Sequence, residues 1–360
     1  MNVLILYGGK SCEHDISIIT ACLAKGYFRG NVYGAYLTQE NVCYLVANGI
    51  TPKQHKTEQF KDEIAFLPGK SRVAIVRKNK IKKYLDVDVA VNCCHGHCGE
   101  DGSIAGLCAL ANIPLVGSDV IASAVTMDKI HTKHVLDALK MPNLPGICLQ
   151  NTYCEDDLRK IENLGYPVIV KPATLGSSIG VTLCNNRDEL TSGLKLAFSY
   201  DNRVLCEKAL IDFYELNCAA IGTRDGVETS RVERPYTTHD ILTFQDKYQQ
   251  KAKFEPPKCK ISKKIEDKVR QMTSEIYRSF ALSGVARVDF LVDNASGELY
   301  VNEINTTPGS LAYGLWQEKF TIQQYGEVLI NGALENYYRQ EALIRQYASG
   351  VLDGALVSKK

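Results

Sequence analysis

Between Val285 and Asn305 the chain alternates apolar and polar residues twice, once on each side of the segment Asp293-Asn294-Ala295-Ser296-Gly297. Period-two alternation marks a strand with one buried face, and two such runs separated by Asp, Asn, Ser and Gly fold back as an antiparallel pair. Val288, Phe290, Val301 and Ile304 supply the core side. Arg287 and Asp289 then share the other face of the first strand, and Glu303 and Asn305 that of the second. The turn can bring Asp289, Glu303 and Asn305 together, and two carboxylates with an amide oxygen are hard donors that suit Mg²⁺ also held by phosphates. Taken alone, the same pattern equally describes the solvated outer face of a hairpin.

A chain of 360 residues holds two or three domains at roughly 100–200 residues each. Forty-two Lys and Arg against 41 Asp and Glu leave a net charge of +1, with no broad basic field to draw nucleic acid or a membrane surface. No window approaches the ~18 consecutive apolar residues of a membrane span, and Met1 to Gly9 lacks the basic start and long apolar core of a signal peptide. The 13 cysteines are an odd number without framework spacing, several of them inside apolar runs such as those of Cys184, Cys206 and Cys218. They are expected to be free thiols in a reducing cytoplasm.

Val3 to Tyr7 reads as a strand that stops at Gly8-Gly9, and residues 13–28 follow at helical spacing. Strands at Val32 to Leu37 and Val87 to Cys93 flank a polar stretch from about Asn48 to Lys83, expected to be an insertion with at most small elements. This alternation predicts a parallel α/β first domain over 1–118. A long helix from Val120 to Leu139, the strand Pro167 to Lys171, the loop Gly176-Ser177-Ser178-Ile179-Gly180, the strand Val181 to Cys184 and the helix Asp188 to Tyr200 predict a small α+β module over 119–203. A strand-rich module with a helix from Lys263 to Leu282 and an amphipathic helical tail from Ile322 to Tyr347 is expected over 204–348, followed by a tail at 349–360.

Both Gly-Lys-Ser tripeptides fail as phosphate-binding P-loops, because Leu4 and Ile64 stand where the first glycine is required. Lys171 closes an apolar strand beside a loop of small residues whose amides could approach phosphate, or it is a strand-end lysine reaching water. Lys129 carries the same two readings on a helix. Cys93-Cys94-His95-Gly96-His97-Cys98 lacks the spacing of a zinc site. Gly99-Glu100-Asp101-Gly102 reads as a loop at the C-terminal end of the third strand, where open α/β sheets place ligands.

In this order along the chain, Gly8-Gly9-Lys10-Ser11-Cys12-Glu13-His14-Asp15-Ile16-Ser17, residues 95–102, residues 123–129, residues 171–180 and Glu303-Ile304-Asn305-Thr306-Thr307-Pro308-Gly309 resemble the motifs of the D-alanine–D-alanine ligase family of the ATP-grasp superfamily. The resemblance implies an ATP-grasp fold with an N-terminal Rossmann-like (pre-ATP-grasp) domain, and ATP held between the two later modules. It implies that Lys129 and Lys171 meet phosphates, that Lys247 also binds ATP, that Glu207 and the backbone of Lys208 to Leu210 take the adenine, and that Glu215 takes the ribose. Asp289, Glu303 and Asn305 are expected to hold two Mg²⁺. Arg287 and the Gly309 amide are expected at the oxyanion. Glu13 would take the first substrate's ammonium group in a set with Ser177 and Tyr248, with His95 nearby and Tyr248 on a closing loop.

The implied reaction is ATP-dependent ligation of two D-alanines through an acyl phosphate, for peptidoglycan precursor synthesis in the cytoplasm, by a homodimer acting on amino acids. Ser310, Gly314 and Leu315 fall where the second substrate's carboxylate is expected, and Gly314 stands where the resemblance leads one to expect serine. A ligase joining a D-amino acid to another amino or hydroxy acid, or a non-catalytic nucleotide-binding homologue, are the competing expectations.

Overall fold

A computed structural model describes residues 1–46, 50–57, 60–235, 261–345, 347 and 349–351. Its first sheet comprises β1 (Asn2–Gly8), β2 (Asn31–Leu37), β3 (Cys43–Val46), β4 (Glu63–Leu67), β5 (Arg72–Arg77), β6 (Lys80–Asp86), β7 (Val89–Asn92) and β8 (Leu115–Val116), in the order β6-β5-β4-β3-β2-β1-β7-β8. β1 runs parallel to β2 and β7, and β7 parallel to β8, whereas β2 through β6 pair antiparallel. The expectation of a wholly parallel sheet is therefore corrected, and part of the polar stretch is strand. Short connections can join only antiparallel neighbours. Between β5 and β6, Lys78 and Asn79 both take positive φ, 52° and 58°, as a tight hairpin turn matching strand twist requires. Polarity concealed these strands because β6 is an exposed edge, where Lys80, Lys82 and Lys83 discourage further pairing.

β1 is apolar from Val3 to Tyr7 because both of its faces are covered there. Val3, Ile5 and Tyr7 join the core on the side of α1 (His14–Ala24), while Leu4 and Leu6 join the core that holds Ile104, Cys108 and Ala111 of α3 (Ser103–Ala111), the short α2 (Pro52–Thr57) falling between β3 and β4. The first of these cores also takes Trp316, Tyr325, Leu329 and Ala333 from the far end of the chain. A long C-terminal helix (Ile322–Glu341) thus closes the first sheet's core, and its Gly326 packs so near Tyr27 that an added Cβ would lie 2.0 Å from the Tyr27 carbonyl oxygen.

The second sheet has the order β11-β10-β12-β9, built from β9 (Gly146–Gln150), β10 (Val168–Pro172), β11 (Thr182–Cys184) and β12 (Arg203–Lys208), all antiparallel. The expected boundary at 203/204 falls inside it, since β12 bonds to both β9 and β10. The change of sheet comes between Lys208 and Phe213. The expected long helix is two, α4 (Val120–Met127) and α5 (Lys129–Ala138), because the carboxylate of Asp128 turns back to accept from the amides of Ile130 and His131 and so starts a new helix.

The third sheet has the order β14-β13-β15-β16, from β13 (Phe213–Thr223), β14 (Gly226–Glu233), β15 (Val285–Asp293) and β16 (Leu299–Asn305). A helix at Lys263–Ser279 lays Val269, Met272 and Ile276 against its core face. In the β15–β16 pair, Asp289 opposes Glu303 but Phe290 opposes Val301, so Asn302 is an extra residue. This bulge lets Leu299, Val301 and Ile304 all enter the core despite their uneven spacing, and it turns Glu303 and Asn305 to the opposite face.

Candidate active site

A cavity of about 440 Å³ opens where the three sheets meet. Arg287 and Asp289 of β15 and Glu303 and Asn305 of β16 line one wall, together with Glu215 and Asn217 of β13. Register explains the grouping, because Asn217 and Glu303 both lie opposite Asp289 on neighbouring strands. The Arg287 guanidinium forks onto Asp289 at 2.6 and 2.7 Å, and Asn305 Nδ2 donates to Asp289 Oδ2 at 3.0 Å. With its amide turned to satisfy both neighbours, Asn217 donates to Asp289 Oδ1 at 3.1 Å. Asn217 was missed in the sequence, although its place on the polar face of an apolar strand was a signal. Lys129, at the start of α5, donates to the Leu175 carbonyl and stands 3.5 Å from Glu303 Oε1. Two carboxylates and an amide on adjacent strands, with a lysine and an arginine beside them, form a donor set suited to a hard divalent cation carrying phosphate.

On the facing side lies Glu13, buried at the head of α1, whose Oε1 accepts from the Ser177 hydroxyl. Two glycines make room for its carboxylate: a Cβ on Gly96 or Gly176 would come within 2.9 or 2.8 Å of Glu13 Oε2. Ser177 and Ser178 both take positive φ, 52° and 58°, which bends the loop back over the cavity. Glu100, in the loop that the sequence placed at the ligand-facing end of the third strand but without a role of its own, also lines the cavity. Burial, then the Glu13 charge, push its pKa up to about 8, against the pull of the Gly96 and Thr307 amides that donate to it at 2.9 and 3.1 Å. His95 is buried behind this wall, bonded through Nε2 to the Thr20 hydroxyl at 2.8 Å, and burial followed by the Arg287 charge lowers its pKa to about 4.

Gly309 and Ser310 line the cavity's end. Ser310, Leu311 and Ala312 take φ of 52°, 50° and 56°, a left-handed turn costing roughly 1–2 kcal/mol per residue, held by Tyr27 donating to the Ser310 carbonyl at 3.0 Å and by Tyr325 donating to that of Leu311. Gly314 is exposed and Leu315 is buried in the first sheet's core, so neither is among the residues that line the cavity.

A second, more apolar slot of about 210 Å³ shares Lys129, Ser177, Glu215 and Glu303 with the first and runs between the second and third sheets. Ile169, Leu183, Leu210 and Leu291 give it flat apolar walls suited to a planar ring, and Lys171, Glu207 and Lys208 line it as well. Lys171 pairs with Glu207 Oε2, and Lys133, which was not singled out in the sequence, pairs with Oε1 at 2.8 Å. Burial works to raise the Glu207 pKa, yet the two lysines hold it below the usual carboxylate value. The Lys208 amide is taken by the Pro145 carbonyl at 3.0 Å and that of Ala209 by Pro167 at 3.1 Å. Lys247 and Tyr248 lie outside the described residues.

Residues 2–118 match the family model described as D-ala D-ala ligase N-terminus, and residues 141–325 match D-ala D-ala ligase C-terminus. The chain is similar to a D-alanine–D-alanine ligase of Thermoanaerobacter sp. (strain X514), 34% identical over 93% of this chain and 97% of the relative, and to one of Thermosipho africanus, 34% identical over 98% of each. Among solved structures it is similar to the D-alanine-D-alanine ligase from Coxiella burnetii, with a TM-score of 0.81 and 25% identity over 96% of this chain and 98% of that one.

Proposed function

The chain belongs to the D-alanine–D-alanine ligase family of ATP-dependent ligases, and on that premise we propose that it joins two D-alanines through an acyl phosphate to supply a peptidoglycan precursor. The observation that carries this reading is the meeting of Lys129, Arg287, Asp289, Glu303 and Asn305 in one cavity with the Glu13–Ser177 pair. A carboxylate is a poor electrophile until it is phosphorylated. Glu13 and Ser177 hold the ammonium group of the first amino acid so that its carboxylate faces the γ-phosphate of ATP. Lys129 and Lys171 offset phosphate charge during transfer, giving ADP and the acyl phosphate. The amine of the second substrate then adds to the activated carbonyl, and Arg287 with the Gly309 amide stabilises the tetrahedral oxyanion before phosphate leaves.

Asp289, Glu303 and Asn305 fit as ligands of divalent metal, which we take to be two Mg²⁺ that supply charge neutralisation across the phosphates. Glu207, with the backbone from Lys208 to Leu210 apart from the Lys208 and Ala209 amides that Pro145 and Pro167 already hold, takes the adenine and Glu215 the ribose. Lys247 is assigned to ATP and Tyr248 to the Glu13–Ser177 set, and His95 and Ser310 to the surroundings of the two amino acids. We propose a three-module, homodimeric, cytoplasmic enzyme. The described cysteines are free thiols, and no described helix is long and apolar enough to cross a membrane.

The test is phosphate release from ATP with D-alanine and Mg²⁺, with the product identified by mass. D-alanyl-D-alanine is expected, and nucleotide turnover without an amino acid product would overturn the reading. A second reading, a preference for another acceptor, comes from the sequence: glycine stands at 314 where the resemblance leads one to expect serine, although Gly314 is not among the residues that line the cavity. A Cβ at Gly314 meets open space, so Gly314→Ser is a fair probe. A sub-millimolar KM for the second D-alanine that the serine does not improve removes this second reading.

A further inference from the structure

The chemistry above gives no task to Lys133, a buried ammonium on α5 one turn beyond Lys129. Burial of a charge is tolerated where its donors are all taken. Those of Lys133 go to Glu207 Oε1 at 2.8 Å, to Asn143 Oδ1 at 2.6 Å and to the Leu144 carbonyl. Asn143 is itself held, donating to Asp137 Oδ1 at 2.7 Å. The ammonium is therefore anchored to the link that follows α5, and Leu144 of that link lines the apolar slot.

Glu207 thus has two lysine partners of different kinds. Lys171 lines the slot, where phosphate would compete for it, while Lys133 is not among the slot's lining residues and approaches Glu207 from within the protein. If Lys171 turns toward phosphate, Lys133 is the lysine still paired with Glu207. An ionised carboxylate accepts a hydrogen bond from a 6-amino group and repels a 6-oxo group. A neutral carboxyl group can donate to the oxo group and loses that distinction.

We propose that Lys133 is a positioning residue for purine selection, fixing Glu207 as a charged acceptor for the 6-amino group and keeping it compensated when Lys171 engages phosphate. The inference rests on the reading that Glu207 meets the adenine.

The experiment is a double-mutant cycle in the full-length enzyme, reading the ratio of kcat/KM for ATP to that for inosine triphosphate, the 6-oxo analogue, with D-alanine and Mg²⁺. Lys133→Met is expected to lower that ratio at least tenfold in the wild-type background and less than threefold in a Glu207→Gln background. A purely structural lysine would depress both nucleotides alike, leaving the ratio unmoved, and that result overturns the proposal, as does an equal fall in both backgrounds. Lys133→Gln, neutral but still able to hydrogen bond, enters the same cycle if Lys133→Met does not fold. Glu207→Gln alone separates the two claims: an unchanged ratio there removes the adenine reading itself, whereas a fall there without one in the Lys133 variant removes only the role of Lys133.

Discussion

Asp289 and Glu303 face each other across β15 and β16 with their side chains on the cavity side, and beyond them the extra residue Asn302 shifts the register. Without that bulge, strand alternation would place Glu303 on the same face as Val301, inside the core. The acidic pair therefore depends on a local irregularity as much as on the residues that compose it.

Glu303→Gln keeps the size of the side chain and removes its charge. Turnover is expected to fall about a hundredfold or more, since a metal ligand's charge contributes several kcal/mol to phosphoryl transfer. The Mg²⁺ concentration for half-maximal rate should rise while Tm moves by no more than about 3 °C. Unchanged Mg²⁺ dependence would remove the metal assignment.

Ser177 donates to a buried carboxylate, a bond worth roughly 1.5–3 kcal/mol. Ser177→Ala should therefore raise KM for the first D-alanine about ten- to hundredfold, with KM for ATP changed little, in steady-state assays that resolve the two amino acid sites. Equal loss for both substrates would point to collapse of the loop.

Glu100 sets a pH dependence whose sign follows from its raised pKa. Folded, it keeps its proton up to about 8, whereas its ordinary value is 4.5. The folded state thus binds more protons between these values, so the stability contributed by the neutral acid is complete below 4.5 and is lost as pH rises to about 8. Glu100→Gln cannot ionise, and thermal melts should show its Tm gaining on that of the wild type across this window. A Tm difference that stays flat, or that favours the wild type at high pH, contradicts the burial of an acid beside Glu13.

Gly326 decides between two opposed effects. Alanine in a helix is favoured over glycine by about 1 kcal/mol. An added Cβ here meets a backbone oxygen at 2.0 Å, which no rotamer relieves, and overpacking of this kind costs about 1–3 kcal/mol or more. Gly326→Ala should therefore destabilise the protein in chemical denaturation, and a stabilised variant would show that the C-terminal helix does not dock against Tyr27.

The ends of the chain show how far local patterns reach. The run Val3 to Tyr7 was legible as a strand, and the structure covers both of its faces. What covers them was not legible, because Trp316, Tyr325 and Leu329 arrive from more than 300 residues away and amphipathicity says only that a helix has a partner. The candidate site residues from Glu13 to Gly309 were readable as a set through the resemblance, and most of those described line the two cavities. Lys133 and Asn217 were not legible, since a lysine on a helix and an asparagine on a strand are ordinary until neighbouring elements bury them, and Glu100 was legible only as part of a ligand-facing loop.

By itself the sequence determined which segments are strands and helices where periodicity was strong, and which polar residues share a face of β15 or β16, because both follow from side-chain direction along a regular backbone. Only the tertiary structure decided that β12 belongs to the second sheet, that polar residues 63–86 extend the first, and that Glu207 sits between two lysines. Sheet membership is set by long-range backbone pairing, and the charge state of a buried carboxylate by the cations packed around it, and neither leaves a local pattern along the chain.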